Sequence, residues 1–209
     1  MTVTLDDVRR ALALRPHVQV TDATGHRAAV ALILREQPNG LELLFIHRAE
    51  RPADPWSGQM AFPGGRSETG DAELVATAVR ETREEIGVDL ERSAERLGAL
   101  DELHAVSRMR PVDLAIAPFV FRLRELVEPV LSPEVDSVLW LSVDELLGPR
   151  HRGLFDYPHG GTLLKFPCIR MAGRTIWGLT YRIFINLQVL LETPELRREH
   201  SHPAASGDR

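Results

Sequence analysis

The sequence predicts an α/β fold in which a mixed sheet is covered on both faces by helices, and three observations predict it. Apolar strand-like runs precede and follow one well-bounded central helix, and a second long helix closes the chain. An Asn39-Gly40 pair joins the first two runs, a strong hairpin signal because a tight two-residue turn needs positive φ. The central helix carries apolar Val75, Val79, Thr82 and Ile86 at i, i+4, i+7 and i+11, a stripe suited to packing on a sheet.

In chain order, Thr4 to Leu14 reads as a leading helix, with Asp6 and Asp7 early and Val8 and Leu12 near helical spacing. His26 to Arg35 and Leu41 to His47 are the hairpin strands. Arg48 to Gly58, with Pro52 and Pro55, is a loop leading into the short run Met60 to Phe62. After the central helix, Leu97 to Leu103, Val112 to Leu123 and Ser137 to Leu141 are strand-like. Ser142 and Glu145 form a capping-box pair at the start of a short helix. Phe155 to Arg170 reads as two short strands around His159-Gly160-Gly161, and Leu179 to Leu191 as the closing helix. One domain is expected over 1–195, with its core over about 27–190 and a frayed, disordered tail over 196–209.

At 209 residues the chain can bury a full hydrophobic core as a single domain. Its longest clean apolar run, Ala28 to Leu34, is too short to span a bilayer, and the first residues lack the basic-then-apolar order of a secretory signal. A cytoplasmic protein without a membrane partner is expected. The single cysteine, Cys168, excludes an internal disulfide and argues against a zinc cluster. Net charge is −5, with no block of Lys or Arg to track a nucleic acid backbone. A small metal-bridged anion remains compatible. Of the histidines, only His200 and His202 show ligand spacing, and they lie in the tail.

The chemistry concentrates in Gly65 to Val88. Glu81, Glu84 and Glu85 stand at i, i+3 and i+4, so three carboxylates crowd one helix face and repel one another unless a cation sits among them. They also occupy the last turns, where the helix dipole disfavours negative charge. Asp71 suits the first turn and Gly87 supplies a C-terminal stop. Phe62-Pro63-Gly64-Gly65 leads in through residues that let a backbone carbonyl approach a ligand unobstructed. Carboxylates with a glycine carbonyl suit a hard cation, Mg²⁺ or Mn²⁺, better than zinc.

These residues resemble the Nudix box, G-x5-E-x7-R-E-U-x-E-E-x-G-U with U aliphatic. Arg80 to Val88 fills the diagnostic end, with Thr82 in an aliphatic place. The early glutamate falls on Asp71, separated from Arg80 by eight residues rather than seven. The resemblance implies a Nudix-type α/β/α sandwich and a metal-dependent attack of water on a diphosphate. It implies that Glu81 and Glu85 are the main metal ligands, with Glu84 and the carbonyl of Gly64 or Gly65 completing the set. Arg80 would hold the glutamates and pair with the early acid. Catalytic roles are expected for Glu81, Glu84 and Arg80, and for Glu134 as general base, with Asp101 and Glu102 as rivals. Arg48, Arg51 and Arg66 could clamp phosphate as forked donors. Trp56 could stack a base or cap the core.

Leu43 to Arg48, followed by Gly58-Gln59-Met60-Ala61-Phe62-Pro63-Gly64-Gly65, is similar to the segment that coenzyme A diphosphatases carry before their box. Asp71, Thr77-Ala78-Val79-Arg80-Glu81 and Trp177-Gly178-Leu179-Thr180 are spelled as in that subgroup, whose long box makes the extra residue a point of agreement. Ile46 stands for the usual threonine, and Pro55-Trp56-Ser57 departs before the Gly-Gln. Trp177 also reads as a core anchor at a helix start. The implied reaction converts coenzyme A to 4'-phosphopantetheine and adenosine 3',5'-bisphosphate. Alternatives are a Nudix diphosphatase for ADP-ribose, nucleotide sugars or dinucleoside polyphosphates, and a non-catalytic nucleotide-sensing module. The partner is a small nucleoside diphosphate derivative, and family habit is compatible with a homodimer.

Overall fold

The computed structural model describes residues 2–20, 26–51, 56–105 and 113–193, and the alternation of its first two strands sets the architecture. Strand β1 (His26–Gln37) buries Ala29, Ala31 and Ile33 on one face and Ala28, Leu32 and Leu34 on the other. β2 (Gly40–Arg48) repeats the pattern, with Leu44 and Ile46 on the first face and Leu43 and Phe45 on the second. Strands buried on both faces need a layer on each side. The register Gln37↔Gly40 makes Pro38 and Asn39 the hairpin loop, one residue earlier than Asn39-Gly40. Proline holds φ negative at the first loop position, so the positive φ of 119° falls on Gly40, just past the loop.

β1 and β2 pair from Leu34 to Gln37 and then part. The chain Met60 to Arg66 fills the gap. β3 (Met60–Ala61) pairs with Ile46 and His47 of β2, while β4 (Gly64–Arg66) pairs with Ala28 to Val30 of β1. Between them the N–H of Ala31 donates to the carbonyl of Pro63 at 2.8 Å. Next come β5 (Ala94–Ala99), β6 (Leu103–His104) and β7 (Leu114–Leu123), then β8 (Val135–Ser142). β7 runs parallel to β1 and antiparallel to β5 and β6, and β8 covers the outer edge of β2. The sheet is mixed, as the sequence predicts.

The expected strand over 97–103 is two strands because Asp101 and Glu102 turn toward the N-terminal segment. Asp101 accepts from the N–H of Val18 at 2.8 Å and from both arms of Arg15. Glu102 accepts from the N–H of Val20 and from Arg27.

Helices α1 (Leu5–Ala13), α2 (Leu74–Ile86), α3 (Leu90–Ser93), α4 (Val143–Leu147) and α5 (Gly178–Leu191) form the outer layers. α1, α4 and α5 share a core with Leu32 and Phe45, while α2 and α3 share one with Ala31 and Ile46. That is an α/β/α sandwich. Thr4 caps α1 reciprocally with Asp7, and the Ser142 hydroxyl accepts from the N–H of Glu145 at α4.

The structure adds a second sheet. β9 (Arg152–His159) and β10 (Thr162–Met171) turn through Gly160 and Gly161, both at positive φ, and β11 (Arg174–Trp177) extends the pair. The turn is as expected; β11, only four residues long, carried no pattern of its own. Trp177 packs against Phe155, Tyr157 and Phe166 with centroids 4.6, 5.3 and 5.7 Å away, just where α5 begins, and Cys168 is buried beside it. Among the described residues no helix is long and apolar enough to cross a membrane. The tail from Pro194, with His200 and His202, lies outside the described residues.

Gly64 is the tightest point of this frame. Its φ is 153°, and a Cβ there would stand 2.3 Å from the carbonyl oxygen of Ala29 and 2.6 Å from the Cα of Val30. Gly64→Ala is therefore expected to cost about 3 kcal/mol or more, through strain and separation of β4 from β1. Urea unfolding of the two proteins measures it.

Candidate active site

Small residues let α2 sit close to the sheet. Ala78, Thr82 and Ile86 are buried against a floor containing Ala29, Ala31 and Ala117. Val75 and Val79, expected in the buried stripe, are only half-buried, because the helix is turned so that Ala78 and Glu85 face inward instead. Thr82 fits its aliphatic place by donating its hydroxyl to the carbonyl of Ala78 at 2.7 Å. Gly87 ends the helix at φ 69°. Beyond it the N–H groups of Val130 and Ser132 donate to the carbonyls of Ile86 and Glu85, both at 2.9 Å. These bonds satisfy terminal carbonyls and offset the cost of placing acids there.

The three glutamates do not share one face equally. Side-chain exposure is 5% for Glu85, 18% for Glu81 and 58% for Glu84. The cation between Glu81 and Glu84 is Arg80, whose guanidinium lies 2.9 Å from Glu81 and 3.1 Å from Glu84. The same guanidinium grips Asp71 through two bonds of 3.1 and 3.0 Å and donates to the carbonyl of Arg66 at 3.0 Å. Asp71 thus precedes α2, which starts at Leu74, instead of lying in its first turn. It also accepts from the N–H of Glu68 and the hydroxyl of Thr77. The extra residue between Asp71 and Arg80 leaves their pairing intact. Arg80 holds the Asp71 carboxyl well below the ordinary range, and Asp71 raises Arg80 in turn.

Glu85 meets the glycine turn. The N–H of Gly64 donates to Glu85 Oε2 at 2.9 Å, and Arg48 Nη1 lies 3.7 Å from Oε1. Burial pushes the Glu85 carboxyl up to about 7, against the pull of Gly64 and Arg48 and with help from Glu81 and Glu134. Burial likewise raises Glu81, which Arg80 opposes. Glu81 packs against Gly65 so closely that a Cβ on Gly65 would stand 2.4 Å from its Oε1. Two partly desolvated carboxylates and a bare glycine backbone therefore converge. Among the described residues no three His, Cys, Asp or Glu side chains form a ready-made metal cage.

Arg48 is brought to this cluster, while Arg51 lies 3.0 Å from Glu134. Arg66 contributes its carbonyl to Arg80 and exposes its side chain, and Trp56 is exposed on the loop before β3. Of the rival bases, Asp101 is bound to Arg15, and Glu102 is 2% exposed in its pair with Arg27. Sequence reasoning missed His47, Asp136 and Arg174, and it gave Thr77 as subgroup spelling without its bond to Asp71. Thr77 contacts Asp71 from within the box. His47 meets Asp136 and Arg174 from 89 and 127 positions away, a separation no local pattern announces.

The two shifted carboxyls act on stability with opposite sign. Asp71, held low, contributes stability that is present above the ordinary carboxylate range and lost as pH falls through it and below. Glu85, held high, contributes stability that is complete below its ordinary value of 4.5 and lost as pH rises through about 7. Without metal, Glu85→Gln is expected to stabilise the fold by about 1–3 kcal/mol near pH 8 and to have little effect near pH 4. Asp71→Asn is expected to cost about 1–3 kcal/mol at neutral pH, the difference closing in acid. Melting in EDTA across this range tests both.

Residues 25–158 match the NUDIX domain. The mitochondrial coenzyme A diphosphatase NUDT8 of Homo sapiens is 31% identical over 146 residues, 66% of this chain and 58% of that protein. An uncharacterized Nudix hydrolase, NudL, of Citrobacter koseri is 36% identical over 151 residues, 70% of this chain and 73% of that protein. An uncharacterized protein of Schizosaccharomyces pombe is 40% identical over 110 residues, 51% of this chain. The match spans 33% of the yeast protein's length, so this chain corresponds to part of that relative. A match that runs across more than half of its length decides the affiliation: the chain belongs to the Nudix family.

Proposed function

We propose that this protein hydrolyses the diphosphate linkage of coenzyme A or a close derivative, with Mg²⁺ or Mn²⁺, releasing 4'-phosphopantetheine and adenosine 3',5'-bisphosphate. The observation that carries the reading is the junction of Gly64 with Glu85, at 2.9 Å. It joins the box helix to the segment Gly58 to Gly65, whose spelling resembles that of coenzyme A diphosphatases. The likeness to NUDT8 supports the same substrate class.

The donor chemistry fits a hard divalent cation. Glu81 and Glu85 offer only oxygens, both are raised by burial, and Glu81 raises Glu85 further, an imbalance that positive charge relieves. Glu81, Glu85 and the carbonyl of Gly65 would hold the ion, with Glu84 completing the set. An ion held there would supply positive charge to phosphate oxygens and acidify water. Arg80 keeps Glu81 and Glu84 oriented, itself anchored on Asp71. Arg48, Arg51 and Arg66 supply forked donors for phosphate, and exposed Trp56 offers a face for a base. Glu134, held 3.0 Å from Arg51, takes the proton from water.

The test is product release from coenzyme A, ADP-ribose and diadenosine polyphosphates with either metal. Cleavage of coenzyme A at a kcat/KM at least about tenfold above the others supports the reading. Glu81→Gln and Glu85→Gln are each expected to lower kcat by about 10²-fold or more, and EDTA to abolish turnover. Preference for another diphosphate overturns the substrate. Tight nucleotide binding without product under either metal overturns the enzyme.

A further inference from the structure

His47 stands at the end of β2, its side chain 13% exposed, on the sheet face opposite to the box helix. Its strand neighbour Arg48 turns the other way, toward Glu85. The His47 ring meets three elements. Nδ1 lies 3.0 Å from Asp136 Oδ2 on β8, and Nε2 lies 3.1 Å from the carbonyl oxygen of Gly58 in the loop before β3. Arg174 Nη1, on β11, lies 3.4 Å from the same Nε2, and its other arm is 3.8 Å from Asp136.

A carboxylate and a carbonyl both accept hydrogen bonds, so satisfying both at once requires two ring N–H groups, and only the imidazolium has them. Neutral imidazole has one. With that proton on Nδ1 for Asp136, Nε2 becomes an acceptor and is within reach of the Arg174 guanidinium. Gly58 and Arg174 therefore compete for one ring nitrogen, and protonation decides between them. Asp136 is held below the ordinary carboxylate range chiefly by its bond to His47. The other groups at this junction are the Ser137 hydroxyl, 3.4 Å from Asp136, and Glu50, whose side chain lies against Gly58.

Gly58 belongs to the loop that carries Trp56. At its base the N–H of Arg51 donates to the Ser57 hydroxyl at 2.6 Å, and Gln59 is bonded to Trp56 and Arg48 through the backbone. We propose that His47 is a positioning residue that latches the Trp56–Gln59 loop in its protonated form and releases the carbonyl of Gly58 to solvent in its neutral form, so that substrate affinity falls as pH rises. This rests on the reading of the site as a diphosphatase whose substrate meets that loop. The expected size is set by one net hydrogen bond, about 2- to 10-fold in KM.

Two measurements test it, one without substrate. In labelled protein, the carbonyl carbon shift of Gly58 is followed with the ring nitrogens of His47 from about pH 5.5 to 8.5. A common midpoint is expected, and the Gly58 transition is lost in His47→Gln. A Gly58 signal that ignores the His47 titration overturns the latch. In steady-state kinetics on the best-cleaved diphosphate, the wild-type KM rises across the same range relative to His47→Gln, with the difference in KM and not in kcat. Parallel KM profiles in the two proteins overturn the link to substrate. Absence of turnover in wild type overturns the diphosphatase reading alone, because the Gly58 signal still decides the latch.

Discussion

The rest of the site depends on one hydrogen bond, from the backbone N–H of Gly64 to the carboxylate of Glu85. On one side of it β4 lies so close to β1 that no side chain fits at Gly64. On the other, α2 approaches the sheet over alanines until a carboxylate can reach the glycine turn. Sheet, turn and helix are thereby brought to one point, and the carboxylate is desolvated in the process. Fold and reactivity share this constraint: the contact that docks the helix is also the contact that buries an acid.

The neighbouring charges divide into a settled part and an unsettled part. Arg80 and Asp71 satisfy each other through two bonds, with Thr77 and the backbone of Glu68 adding support. That unit is structural and favours folding at neutral pH. Glu85 and Glu81 are pushed toward protonation by burial. Their discomfort without a counter-ion is what a binding site for a divalent cation requires, and such local conflicts are characteristic of functional positions in otherwise consistent folds.

Much of this was legible before the structure because it is local. The i, i+3, i+4 acids, the glycine turn and the Gly87 stop all act within a few helical turns of one another, so spacing alone exposes them. The details that depend on tertiary packing were not legible. Which way α2 rotates is set by Ala29, Ala31 and Ala117 on distant strands, so Val75 and Val79 gave way to Ala78 and Glu85 at the interface. The carboxylate spacing predicts a metal among the glutamates, and Arg80 already supplies part of that positive charge. The hairpin slipped by one residue because Pro38 overrides the Asn-Gly signal beside it. β11 and the His47 junction were invisible, one because it is short and the other because its members are scattered through the chain.

The cover over the last turn of α2 has a mechanical consequence. Ser132 is bonded through its N–H to the carbonyl of Glu85, and Glu134 follows two residues later, its own backbone carbonyl accepting from the N–H of Ala49 just after β2. The segment is thus a short strut pinned at one end to the helix and at the other to the sheet. With Ser132 tied to the helix and Glu134 to the chain leaving β2, the two-residue span between the pins limits how far helix and sheet edge can part there. Upstream, Arg124 is bonded to Ser93 and Val127 packs on the core beneath α2, so the whole connection from β7 to β8 is held against the helix layer and not left as a free loop.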